Sequence, residues 1–122
     1  MVIQTLNLAI RFILELTALG MMGFWGWKQT DGWLRFILAL GIPIIFMSIW
    51  VVFNVPGDPS RSGNAPIVVS GIVRLLIELC FFGFASWATY KLGFQNFSAL
   101  LVFIILLHYV ISYERIIWIL KQ

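Results

Sequence analysis

Four long apolar runs, 5–27, 33–53, 66–90 and 97–120, take up most of the 122 residues, and only short polar stretches separate them. A helix needs about 20 mainly apolar residues to cross the hydrocarbon of a bilayer. In that layer every backbone N–H and C=O must be satisfied inside its own segment. The pattern predicts an all-α integral membrane protein: a single four-span domain over residues 1–122, packed as a four-helix bundle. Composition agrees, with 61% hydrophobic and 11% charged residues, against about 25% charged in soluble domains. The first run lacks a basic lead-in and a small-residue cleavage site, so it reads as a retained span and not a signal peptide.

Four spans put both termini and loop 54–65 on one face, and the tight turns 28–32 and 91–96 on the other. Basic residues are nearly balanced between the faces and lean the termini towards the cytoplasm. All six Trp are expected at the headgroup level, where indoles anchor a span. Pro66 fits the first turn of the third span, and Pro43 should kink the second. Gly20, Gly23 and Gly26 suit close helix packing. The net charge of +3 does not point to nucleic acid, because the basic residues are scattered and several lie inside apolar helices. The lone Cys80 excludes an internal disulfide, and it is expected as a buried, inert thiol.

Charges inside the spans limit the chain further. Arg11 and Glu15 lie four residues apart in the first, and Arg74 and Glu78 repeat the spacing in the third. Such groups cost roughly 2.5–3.5 kcal/mol each at the centre of a membrane helix, so they must pair or line a polar cavity. Adding 63 carries Arg11 onto Arg74, Glu15 onto Glu78, Leu16 onto Leu79, Gly20 onto Gly83 and Lys28 onto Lys91. The chain therefore reads as one helical hairpin written twice in tandem. Each half crosses twice, so the repeats are parallel.

At a rise of about 1.5 Å per residue, Glu15, Glu78 and His108 fall near the midplane. Arg11 and Arg74 lie one turn shallower, and Glu114 and Arg115 lie near the terminal face. This ladder predicts a cavity open on that face and no through-pore. Two pairings are open: each Arg to the Glu of its own helix, or crossed between hairpins. Arg11, Glu15, Arg74, Glu78, His108 and Glu114 are the candidate ligand or proton-binding residues. Asp58 can accept backbone N–H bonds in the rigid turn Pro56-Gly57-Asp58-Pro59, and Arg61 can fold over the cavity mouth. Three metal ligands, Glu15, Glu78 and His108, would face two arginines one turn away, so no metal is expected. Ser48, Ser70, Ser86 and Ser112 stand near no histidine by spacing, so neither a catalytic nucleophile nor a cofactor is expected.

These residues allow two functions. One is a transport or ligand-binding protein for a proton or a small anionic or polar solute, with a homodimer expected if it transports. The other is a non-catalytic structural or accessory subunit whose buried charges lock the fold.

The run Trp50-Val51-Val52-Phe53-Asn54-Val55-Pro56-Gly57-Asp58-Pro59-Ser60-Arg61, followed by Pro66, Val68, Gly71, Arg74, Leu75 and Glu78, resembles the YrdB family of small bacterial membrane proteins. The resemblance implies a four-span, multi-pass protein of the bacterial inner membrane, in a family whose function is not established. It carries no site residues over.

Overall fold

The computed structural model describes residues 2–59 and 65–122, the side chains of Ile3 and Gln4 excepted. The chain is all-helical apart from two short strands: α1 (Val2–Lys28), α2 (Leu34–Val52), β1 (Phe53–Asn54), β2 (Ile67–Val68), α3 (Gly71–Lys91), α4 (Gln95–Ile111) and α5 (Tyr113–Leu120). Three helices are long and apolar enough to cross a membrane, and α4 with α5 makes a fourth if the bent pair is one span. Large apolar side chains cover the outside, among them Phe12, Leu40, Phe103 and Leu106. That surface suits lipid and not water.

α1 and α2 pack most closely, because α1 presents glycine to its neighbour. A Cβ on Gly26 would sit 2.7 Å from the carbonyl oxygen of Leu38, and one on Gly23 would sit 2.9 Å from that of Ala39. Gly20 faces open space instead. α2 runs unbroken through Pro43, which lies against Gly23. α3 is the most buried helix, set against α1 on one side and α4 on the other. The half of the molecule near the tight turns is an aromatic core. Phe46 stacks on Phe84 at 5.2 Å, and Trp25 meets Phe84 and Trp87 at 5.5 and 5.4 Å.

The other end departs from four straight spans. The last apolar run breaks at Ser112 into α4 and α5, which meet at 70°. α5 folds across the terminal face with Arg115 and Ile119 buried and with Tyr113, Ile117 and Leu120 outward. Gly71 makes that seat possible, since a Cβ there would collide with the Ile119 carbonyl. α3 begins at Gly71, later than Pro66. Ser70 is its N-cap, accepting from Val73 N, while Pro66 leads into β2, which pairs in parallel with β1. Gly57, at φ +79°, turns the loop between the strands, and Val55 and Asp58 are buried in it. Cys80 is exposed, not buried, because the neighbouring Glu78, Phe81 and Phe82 take the inner face of α3. Trp50, near the C-terminal end of α2, is buried in the core.

Candidate functional site

Arg74 and Glu78 lie one turn apart on α3, and Arg74 Nε donates to Glu78 Oε2 at 3.0 Å. The same oxygen is 3.2 Å from Arg11 Nη2 and 2.7 Å from Arg115 Nη2. The other carboxylate oxygen accepts from the Tyr109 hydroxyl at 2.7 Å and from Arg115 Nη1 at 3.0 Å. Three guanidiniums and a phenol, from α1, α3, α4 and α5, thus converge on one fully buried carboxylate. Arg115 also forks onto Asp58, Nε to Oδ1 at 2.8 Å and Nη2 to Oδ2 at 2.6 Å. This two-bond geometry is the strong form of an Arg–carboxylate pair. Arg11 Nε stands 3.4 Å from Glu15 Oε1.

Arg11, Arg74 and Arg115 therefore face Glu15, Glu78 and Asp58, and the cluster sums to zero charge. Among the described residues, both the within-helix and the crossed pairings expected from the sequence occur together at Glu78. Arg74 does more. Its Nη1 donates to the carbonyls of Trp50 at 2.7 Å and Phe53 at 2.9 Å, so it caps the C-terminal end of α2. The Trp50 ring carries Arg74 at 4.4 Å and Arg11 at 5.1 Å, both within cation–π range.

A second network links α1 to α4. Asn7 Nδ2 donates to Ser112 Oγ, which leaves Asn7 Oδ1 to face His108 Nδ1 at 2.8 Å. An amide oxygen only accepts, so the ring proton sits on Nδ1. His108 Nε2 is then the acceptor for Arg11 Nη1, 3.3 Å away. A second proton on the ring would confront the Arg11 donor directly. The bonds fix His108 as a neutral link, a geometry ill suited to carrying a proton.

Above these groups an open cavity of about 490 Å³ lies at the terminal face. Its walls are Leu8, Pro59, Ile111 and Trp118. Asn7, Arg11, His108, Ser112 and Arg115 supply the polar part of the lining, and Glu114 also contributes. Glu114 is exposed, and its described partner is the Tyr113 hydroxyl at 3.5 Å.

The six ligand or proton candidates therefore separate. Arg11, Glu15, Arg74 and Glu78 join the buried cluster; His108 ties that cluster to the cavity; Glu114 stays outside it. Asp58 gives both carboxylate oxygens to Arg115. Arg61 lies outside the described residues. Arg115 had been placed near the surface of a straight fourth span, and the bend at Ser112 carries it inward to Glu78. A charge count was the available signal, because Arg11, Glu15, Arg74 and Glu78 already balance and Asp58 then needs a cation. Asn7 was missed, since an amide in an apolar helix carries no motif. Ser112 does reach His108, through Asn7, although spacing had set them apart. Among the described residues, no group of three His, Cys, Asp or Glu side chains is placed to hold a metal ion.

Residues 9–106 match the family model described as "Protein of unknown function (DUF2568)". The chain belongs to this family. It is 45% identical over 116 residues to "Uncharacterized protein YrdB" of Bacillus subtilis (strain 168), covering 95% of this chain and 94% of that protein. No solved structure matches.

Proposed function

We propose that this chain is a non-catalytic membrane protein that binds a small polar or amphiphilic solute in the terminal-face cavity, and that the charge cluster beneath is the lock holding the cavity's floor. One observation carries the reading: every guanidinium of the cluster already has a carboxylate partner, while the cavity beside it is open. Partnered arginines have little left with which to capture a free anion, but they fix Asn7, His108 and Ser112 in place. Binding is favoured over translocation because Ala18, Met22, Phe81, Phe82 and Ala85 close the interior beyond Glu78 with buried apolar atoms.

The same reading takes the two halves as tandem parallel hairpins of a four-helix bundle in the bacterial inner membrane. In support, Arg11 and Arg74 approach one oxygen of Glu78 and share Trp50.

The test uses single cysteines in a Cys80→Ser background. A cysteine at Ser112 should react with a water-soluble maleimide, and one at Ala18 should stay inert. Equal inertness at both positions would reject a water-accessible cavity. In sealed proteoliposomes, binding without flux is the expected result, and solute flux abolished by Glu78→Gln would restore the transport reading.

A further inference from the structure

Resting on the proposed binding cavity, we infer that its solute carries an ammonium group, primary or quaternary, on an apolar stem. The sign of the charge follows from the sum of the lining. Arg11 and Arg115 line the cavity, but Glu15, Glu78 and Asp58 cancel them together with Arg74. His108 is held neutral by Asn7 and Arg11. Glu114 remains, a carboxylate exposed at the cavity whose one contact among the described residues is a hydroxyl at 3.5 Å. The described lining and the buried cluster behind it together carry one negative charge, and that charge sits on Glu114 at the cavity.

The walls select the same chemistry. Trp118 lies four residues after Glu114 on α5, so both present themselves on one helix face. An indole beside a carboxylate is the pairing that holds an organic cation, since the ring face attracts positive charge while the carboxylate neutralises it. Leu8 and Ile111 line the cavity and keep a large exposed apolar surface on α1 and α4. A hydrocarbon stem leaving the cavity between α1 and α4 would run along that surface. Ammonium of this kind reaches a membrane protein either on a lipid headgroup or as a free alkylammonium.

The experiment titrates the full chain, delipidated in an uncharged maltoside detergent, by native mass spectrometry and calorimetry. The probes are phosphatidylethanolamine, phosphatidylglycerol with the same acyl chains, diacylglycerol, and the soluble cation benzyltrimethylammonium. Ethanolamine lipid should bind at least tenfold more tightly than glycerol lipid. Glu114→Gln should erase that preference with unchanged thermal unfolding, because among the described residues Glu114 makes no bond into the cluster. Trp118→Ala should weaken the ammonium probes more than diacylglycerol. Binding of benzyltrimethylammonium alone supports a free cation as the source, and binding of the ethanolamine lipid alone supports a headgroup. Glycerol lipid or diacylglycerol bound as tightly as the amines, or a preference that survives Glu114→Gln, would overturn the ammonium assignment and leave the cavity reading standing. If no probe of any charge binds, the cavity reading itself fails, and this inference fails with it.

Discussion

Glu15 and Glu78 hold matching positions 63 residues apart, each one turn after an arginine on an apolar helix, yet their surroundings differ. The Glu78 side chain is 0% exposed and draws three guanidiniums and a phenol. The Glu15 side chain is 18% exposed and lies 3.4 Å from Arg11. The asymmetry comes from the partner helices. The α4 helix supplies Tyr109 and gives way at Ser112 to α5, which delivers Arg115 to the Glu78 side, whereas α2 continues without a break to Val52 and ends in carbonyls that Arg74 caps. Two equal local sequences thus acquire unequal roles from what packs over them.

The largest effect should come from Glu78→Leu, which strands guanidiniums in a low-dielectric interior at a cost of about 3–5 kcal/mol. Thermal unfolding in detergent should show severe loss, and Arg74→Leu added to Glu78→Leu should recover part of it. A freely stable, monodisperse Glu78→Leu protein would mean that water reaches the cluster, and the contrast with Glu15 would collapse.

Arg115→Leu should cost about 2–3 kcal/mol, the loss of charge-assisted hydrogen bonds to Asp58 and Glu78. Adding Asp58→Leu should restore most of it, because the buried carboxylate is then removed together with its guanidinium. No coupling between the two substitutions would show that α5 is held by Ile119 and not by its arginine.

Gly71→Ala should cost about 1–3 kcal/mol through overpacking against the Ile119 backbone. Its signature should be weaker protection of α5 in hydrogen exchange, with α1 and α2 unaffected.

The smallest effect belongs to Glu15→Gln. An ion pair with a partly exposed carboxylate is worth less than about 1 kcal/mol, so unfolding should barely move. A loss equal to that of Glu78→Leu would make the two halves energetically alike and would argue for a symmetric lock.

The apolar helices and the pairing of Arg74 with Glu78 were legible because length and i,i+4 spacing are local properties. What was not legible is non-local. Ser112 looks like any tolerated serine in a membrane helix, and its hydroxyl at the break is bonded by Asn7, more than a hundred residues earlier. Arg115 was visible as a charge, but depth measured along a straight helix misplaced it. Cys80 was assigned to the core from its oily neighbours, and neighbours in sequence do not share a helix face. The strand pair that ties Phe53 to Ile67 is too short to leave a period-two pattern.

The position of Arg115 also fixes an order of events. Ribosomes make residues 11, 15, 58, 74 and 78 before residue 115, so the cluster first reaches the membrane as two arginines for three carboxylates. Until α5 follows, Glu78 lacks two of its donors and Asp58 lacks the guanidinium that closes the loop over it. The nascent protein must therefore pass through a state with surplus negative charge at its centre, kept hydrated near the headgroups or sheltered by the insertion machinery. Final closure of the helices is a late, post-insertion step, set by the arrival of a single side chain.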